Sequence, residues 1–315
     1  MKKLLLTLLV ILGLVLLSIY VFIPSKIEFS EVTIIKTQMS VASRFLMNES
    51  EWSKWFPGYS LEKSSPILKK PFLYKKAYFD FKKATFNAAE ISISDDKSAL
   101  NSIIHMISIN EDSIAVEWKS EMPQTYGPLN RLKNYLKARR LQKNLGDILN
   151  SLKAFLGHKE RVYGVYFHEI ISKDSTLIAM QCVTTGYPST QKIYSLVNSL
   201  KKYIISQNAK ENNFPMLSVR KRNDSTYETM VAIPVNKYLN GNDSIFNKRF
   251  VPWKVLTADV HGGVYSVTEA MRQMNIYMAD YHKVAMALPF QILSTDRSAE
   301  SDTSKWVTGI YTPIP

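Results

Sequence analysis

Residues that could carry acid–base or metal chemistry are few in this sequence and lie far apart. The 315-residue chain contains five histidines: His105, His158, His168, His261 and His282. They form no H-E-x-x-H motif and no other close pair of metal ligands. His168 and Glu169 are adjacent, but neighbouring residues of a strand point to opposite faces. The spacing therefore predicts no metal site, and nothing in the sequence indicates a cofactor.

Nucleophilic and general-base chemistry has equally little support. The sequence has no G-x-S-x-G elbow, no P-loop and no G-x-G-x-x-G motif. Its single cysteine, Cys182, stands in an apolar stretch, where a lone thiol is usually a small buried hydrophobe. Glu90, Glu117 and Glu228 lie in strand-like segments. Each is either an acid that faces a cavity or an exposed residue of its strand, and no catalytic residue is predicted.

Aromatic residues of the second half of the chain are better suited to ligand binding. Their flat apolar faces and polar tips favour contact with varied small molecules. The candidates are Tyr187, Tyr194, Tyr265, Trp306 and Tyr311. The alternative for each is ordinary packing in the core. A stripe of methionines, Met271, Met274 and Met278, has helical spacing and favours a role as core filler.

The formal net charge is +13, and the densest basic stretch runs from Lys133 to Lys143. Such a balance is compatible with nucleic acid or anionic lipid as a partner. Zinc-finger spacing and RNP-like aromatic motifs are both missing from the sequence. We therefore expect a solvated basic face or a membrane-surface role, and no nucleic-acid partner.

The first residues are typical of a membrane anchor. Lys2 and Lys3 precede an uncharged apolar run over residues 4–23. A helix of that length crosses a bilayer core of about 30 Å. The run ends in bulky residues without an A-x-A-like cleavage site. The pattern predicts an uncleaved transmembrane helix within an anchor segment 1–26. The rest of the chain is then expected on the extracytoplasmic side of an inner membrane.

A first soluble region is predicted over residues 27–157. It begins with a strand, Ile27 to Ile35, a short helix and the aromatic-rich turn Glu51 to Gly58. A strand over Phe72 to Phe81 and further strand-like stretches follow, and a long helical pattern from Leu129 stops at Gly157. This order resembles the START/polyketide-cyclase-like (SRPBCC) helix-grip superfamily. The resemblance implies a curved antiparallel sheet around the long helix, with a hydrophobic ligand cavity between them.

The second region, residues 160–315, is internally duplicated. Its first half contains a strand (Ile178 to Thr184), a glycine turn, an amphipathic helix and two further strands. The second half repeats this order from the strand Trp253 to Val260 onwards. Two βαββ repeats predict an α+β pseudo-dimer.

This second region resembles the GyrI-like, or transcription-activator effector-binding, family. The matching segments are Met230 to Val235, the H-G-G-x-Y of His261 to Tyr265, and Trp306 to Ile314. The resemblance implies an aromatic groove for apolar, often cationic, compounds. Many members carry an acid in a P-x-E-x-Y context, where this chain has Gln291. Gln291 is thus a sixth candidate ligand residue, and as a neutral amide it puts a preference for cations in doubt.

The predicted protein is therefore α+β: an N-terminal transmembrane helix, a helix-grip domain and a duplicated βαββ domain. Three functions remain open at this stage. The first is a membrane-tethered, non-catalytic binding protein for apolar, drug-like or cationic small molecules, acting as a sensor, buffer or carrier. The second is a hydrolase- or cyclase-like enzyme that uses one of two cavities. The third is a structural or lipid-interacting envelope protein, for which the basic stretch Lys133 to Lys143 matters most.

Overall fold

The structure is a computed structural model that describes residues 2–58, 71–95, 98–173 and 175–315. It confirms the predicted α+β class, because helices pack on two antiparallel sheets. The chain divides into two compact units, Met1–His158 and Lys159–Pro315.

The first unit opens with helix α1, Lys2–Phe22. Its carboxyl end is capped by Arg131, which donates hydrogen bonds from Nη1 to the carbonyl oxygens of Tyr20 (2.9 Å) and Ile23 (3.1 Å). A cation is favourable at this negative end of the helix dipole. Among the described residues, no helix combines the length and the apolarity needed to cross a membrane. The structure therefore gives the predicted anchor over residues 4–23 no support.

A six-stranded antiparallel sheet and one long helix form the body of the first unit. Strand β1 spans Ile27–Ile35, as predicted, and helices α2 (Met39–Leu46) and α3 (Glu49–Trp52) follow. The other strands are β2 (Phe72–Tyr74), β3 (Ala77–Ala84), β4 (Ala88–Asp95), β5 (Ser98–Asn110) and β6 (Ser113–Met122). Their order in the sheet is β1-β6-β5-β4-β3-β2. Helix α4, Pro128–Leu156, packs against β1 and ends at Gly157, the predicted stop.

The single strand predicted over Phe72 to Phe81 is wrong, because the chain reverses within it. Lys75 and Lys76 both have positive φ (44° and 67°) and link β2 to β3 as a two-residue hairpin turn. Such turns usually carry Asn-Gly or Asp-Gly, which tolerate this backbone region at little cost. Two lysines do not indicate a turn, so the alternating pattern of the sequence predicts one continuous strand.

Aromatic side chains fill the core of the first unit. Trp52, Phe79 and Trp118 are fully buried, and Trp55 is almost so. The Nε1 groups of Trp52 and Trp55 donate to the carbonyl oxygens of Leu46 (3.0 Å) and Phe45 (3.1 Å). These bonds satisfy carbonyl groups at the carboxyl end of α2, so both tryptophans have a structural role. Phe45 also packs edge to face on Phe155 of α4, with ring centroids 4.9 Å apart.

The second unit is built on an eight-stranded antiparallel sheet. It opens with a short helix, α5 (Lys159–Tyr163), and its longer helices are α6 (Thr190–Ser206) and α7 (Val264–Asp280). The first four strands are β7 (His168–Ile171), β8 (Ser175–Thr185), β9 (Met216–Lys221) and β10 (Thr226–Val235). The last four are β11 (Ile245–Phe250), β12 (Lys254–His261), β13 (Phe290–Leu293) and β14 (Val307–Ile314).

The strand order shows the predicted duplication directly. It is β11-β8-β10-β9-β13-β14-β12-β7. The halves β8–α6–β9–β10 and β12–α7–β13–β14 occupy mirrored positions, and β9 meets β13 at the centre. The strand-to-helix turns also correspond, since Gly186 (φ 77°) and Gly262 (φ 117°) both adopt backbone conformations that favour glycine. Strand β11, at one edge, is an addition that the sequence pattern did not predict.

The two faces of this sheet have different partners. One face carries α6 and a core that includes Ile178, Val231 and Ile233. Side chains alternate along a strand, so the residues between these, such as Leu177 and Ala232, point to the other face. That second face carries the candidate site.

Candidate functional site

A groove of about 350 Å³ lies on the face of the second sheet opposite α6. Its floor comes from β8, β9 and β10 through Leu177, Met216, Ser218, Met230 and Ala232. The links before β12 and β13 supply its walls, among them Val251, Trp253 and Leu288. This volume is within the range of ordinary small-molecule sites.

Curvature of the sheet makes this face concave. Phe250 of β11 and Phe290 of β13 meet with ring centroids 5.3 Å apart at an interplanar angle of 78°. Their strands are four places apart in the sheet, which in a flat sheet corresponds to about 19 Å. Phe290 also stacks on Tyr311, with centroids 5.1 Å apart. An aromatic row therefore closes one side of the groove.

The walls present apolar surface to solvent. Trp253 is 38% exposed and Leu288 57% exposed, whereas Phe290 beside them is buried. Met216 and Met230 add unbranched, polarizable side chains to the floor. Such a surface gains free energy when it is covered, at about 25 cal/mol per Å² of apolar area. The groove can thus bind an apolar molecule without any shape-specific polar contact.

A charged cluster lies on the same face of the sheet, around Glu228, which is two residues from Met230 along β10. Glu228 of β10 accepts hydrogen bonds from Nε of Arg220 (3.0 Å) and Nη2 of Arg222 (3.3 Å), and also from Gln181. Arg220, the main partner, holds the pKa of the Glu228 carboxyl below its ordinary value. Glu228 therefore remains an ionised structural partner and is poorly suited to accept a proton near neutral pH.

Gln291 does not face the groove. The pairing register places Phe290 opposite Tyr311 on the groove face and Gln291 opposite Ile310. Gln291 is buried, and its Nε2 lies 3.9 Å from Sδ of Met271 in α7. Since the β13 side chains alternate, the neighbouring Phe290 is the one that lines the site.

Two other predicted ligand residues, Trp306 and Tyr194, belong to a buried cluster around Arg297. The Tyr194 hydroxyl donates to the Thr295 carbonyl (3.0 Å) and accepts from the Arg297 backbone N–H (2.7 Å). The Arg297 guanidinium lies 4.9 Å from the Trp306 ring centroid and donates to Oγ1 of Thr308 (2.6 Å). Burial raises the pKa of Tyr194 and lowers that of Arg297. These contacts indicate packing on the helix-covered side of the sheet.

The remaining candidates are placed differently from one another. Tyr187 is half exposed and contacts the ring of Tyr227, and Tyr265 is almost fully exposed in the first turn of α7. Tyr311 borders the groove through its stacking on Phe290. Of the six predicted residues, the structure thus brings only Tyr311 next to the groove. The sequence did not single out the groove residues Met216, Met230, Lys248, Phe250 and Phe290, although the alternation along β10 marks Met230 and Ala232 as one face.

The other residues considered for acid–base, nucleophilic or metal chemistry do not line the groove. Glu90 is exposed and pairs with Lys83 at 3.0 Å, and Glu117 alternates with the buried Val116 and Trp118 on β6. Cys182 packs against the helix-side core of the second unit. The described residues contain no group of three or more His, Cys, Asp or Glu side chains that could hold a metal ion.

The first unit carries an open basic cleft of about 640 Å³ near the start of α4. Lys133, Lys137 and Arg140 line it, and Leu136 is its apolar member. Lys137 is already paired with Asp95 at 2.7 Å. A wet, charged depression of this kind holds a small molecule less well than an apolar groove.

Comparison with known proteins gives likenesses in structure alone. No protein-family model matches the sequence, and no curated protein matches it. A cryo-EM structure of an EcmrR–DNA complex aligns at 13% identity over 59% of this chain and 71% of that chain, with a TM-score of 0.45. The EcmrR C-terminal domain aligns at 11% identity over 48% and 98%, with a TM-score of 0.41. A hydrolase from Listeria innocua aligns at 8% identity over 47% and 91%, with a TM-score of 0.37.

The DNA in the first complex is bound by that protein. In this chain, the strand order of the second unit is mirrored about β9 and β13, and the groove lies on the open face of this sheet.

Proposed function

We propose that the second unit is a GyrI-like domain that binds a small apolar or drug-like molecule in the groove. On this proposal the protein acts as a sensor, buffer or carrier and not as an enzyme. The observation that carries it is the combination of a concave face, an apolar floor and partly exposed Trp253 and Leu288 in the walls.

The charges around the groove favour binding over catalysis. Among the described residues that line it there is no carboxylate, histidine or cysteine. Glu228, two residues from the floor residue Met230 on the same strand face, is held ionised by Arg220 and Arg222. General acid–base catalysis requires a group whose pKa lies close to the working pH. The pKa of Glu228 is instead lowered, further from neutral pH.

Native mass spectrometry of the protein, purified gently from its host, tests this proposal. We expect a reproducible added mass that is lost in Met230→Trp, because a larger ring fills the groove floor. Ile205→Trp is the matched control, since Ile205 is exposed on α6, on the other side of the sheet. An added mass that survives Met230→Trp, or a complete absence of binding to apolar compounds by calorimetry, would overturn the proposal.

We also propose that both units lie on the extracytoplasmic side of an inner membrane. This location is supported by the sequence, in which Lys2 and Lys3 precede the apolar run over residues 4–23. Protease added to intact spheroplasts tests it. Digestion of both units without lysis is the expected result, whereas digestion only after lysis would place them inside the cell.

A further inference from the structure

The ligand class that the groove selects can be inferred from the charges that surround it. Two cationic residues of β11, Lys248 and Arg249, belong to the lining. The described lining contains no aspartate or glutamate. A molecule in the groove therefore meets positive charge at one end and apolar surface along the floor.

Lys248 is the residue that points its charge at the groove. Its Nζ lies 3.8 Å from Sδ of Met230, a floor residue, and it shares the face of Phe250 because the two alternate on β11. A thioether is a weak acceptor and does not neutralise an ammonium group. Within the described chain, no carboxylate lies in ion-pair range of Lys248.

The nearby acid does not compensate this charge. Glu228 is already shared between Arg220 and Arg222, so the cluster beyond Met230 contains two cations and one carboxylate. The whole face near Met230 therefore keeps an excess of positive charge. A cationic ligand would bring like charge to this site, whereas an anionic headgroup would find donors already in place.

We propose that the groove selects a small amphiphile with an anionic headgroup. This inference rests on the proposed binding function. The apolar tail lies on Met216, Met230 and Phe290, and the headgroup lies at Lys248. The preference is opposite to the cationic one that the family resemblance implies.

Calorimetric titration with three soluble octyl compounds tests this charge preference. The probes are octane-1-sulfonate, octyltrimethylammonium and 1-octanol, which share one tail and differ in head charge. We expect the sulfonate to bind about tenfold more tightly than the other two, as for one charge-assisted hydrogen bond. The advantage should shrink as salt is raised, because the lysine is exposed.

Matched variants locate the headgroup. Lys248→Met keeps an unbranched side chain and should remove the advantage of the sulfonate while octanol binding stays the same. Lys202→Met removes an exposed charge from α6 on the other side of the sheet and should change neither. A sulfonate advantage that persists in Lys248→Met would overturn the placement of the headgroup.

The outcomes separate this inference from the proposed function. If octanol or the cation binds as tightly as the sulfonate and Met230→Trp abolishes that binding, the groove is a ligand site and the anionic preference is wrong. If none of the three compounds binds, the proposed function itself fails.

Discussion

Phe250 and Phe290 meet edge to face with ring centroids 5.3 Å apart, although β8, β10 and β9 lie between their strands in the sheet. The contact requires the sheet to curl, and the curl turns its open face into a groove. Edge-to-face pairs contribute about 0.5–1.5 kcal/mol beyond the area that they bury. The pair therefore stabilises both the fold and the shape of the site.

A double-mutant cycle on Phe250→Ala and Phe290→Ala measures this contribution. We expect a coupling free energy of about 0.5–1.5 kcal/mol in urea unfolding. Phe250→Ala and Tyr311→Ala form the control pair, because Tyr311 stacks on Phe290 and not on Phe250. Equal coupling in both pairs would contradict direct contact between the phenylalanines.

The ion pairs of Glu228 predict a pH dependence of stability. Arg220 lowers the pKa of this carboxyl from its ordinary value of 4.5, so the folded state favours the ionised form. The resulting stabilisation is present above the unfolded pKa and is lost as the pH falls through the lower folded pKa.

Urea unfolding from pH 7 to about pH 3 should therefore show Glu228→Gln less stable than the parent at neutral pH, with the difference shrinking in acid. Glu111→Gln, in the exposed turn between β5 and β6, is the control for the loss of one carboxylate. A difference that grows as the pH falls would have the wrong sign for this account.

Gln291 provides a test of the strand register. Because it faces α7 and not the groove, Gln291→Met should leave the affinity for octane-1-sulfonate within about twofold of the parent. Calorimetry on the folded variant checks this. A loss of about tenfold or more would mean that position 291 contacts the ligand and that the register of β13 is wrong.

Trp306 is expected to matter for stability and not for binding. It is 7% exposed, donates from Nε1 to the Glu300 carbonyl (2.9 Å) and lies against Arg297. Trp306→Ala should lower the free energy of unfolding by about 3–5 kcal/mol, and Trp306→Phe by less. The affinity of folded Trp306→Phe for octane-1-sulfonate should be unchanged. A loss of affinity without a loss of stability would indicate that Trp306 contacts the ligand.

The duplication of the second unit could be predicted because its signals are local. The helical spacing of apolar residues from Ile193 to Ile204 and the repeated glycine turns can be recognised in the sequence without the tertiary structure. Strand β11 was not predicted, because Ile245–Phe250 mixes polar and apolar residues. It lies at an edge of the sheet, where burial imposes little pattern on the sequence. The Lys75–Lys76 turn was not predicted, because lysines are not typical of a turn with positive φ angles.

The site was harder to predict than the fold, for a physical reason. A shift of one residue moves a side chain to the other face of a sheet, so Gln291 and Phe290 have opposite roles although they are neighbours. Aromatic residue type alone did not separate Trp306, which is packed beside Arg297, from Tyr311, which borders the groove. The position of Lys248 over Met230 depends on the pairing of β11 with β8, which no local pattern in the sequence showed.

The most direct test of the binding site uses the methionine methyl groups as built-in reporters. Met216 and Met230 lie in the groove, whereas Met271 and Met274 belong to α7 on the other side of the sheet. In ¹³C-methyl NMR, titration with 1-octanol should shift the Met216 and Met230 signals together in a saturable manner and leave those of Met271 and Met274 in place. Saturable shifts confined to Met271 and Met274, or to methionines of the first unit, would contradict a ligand site in the groove.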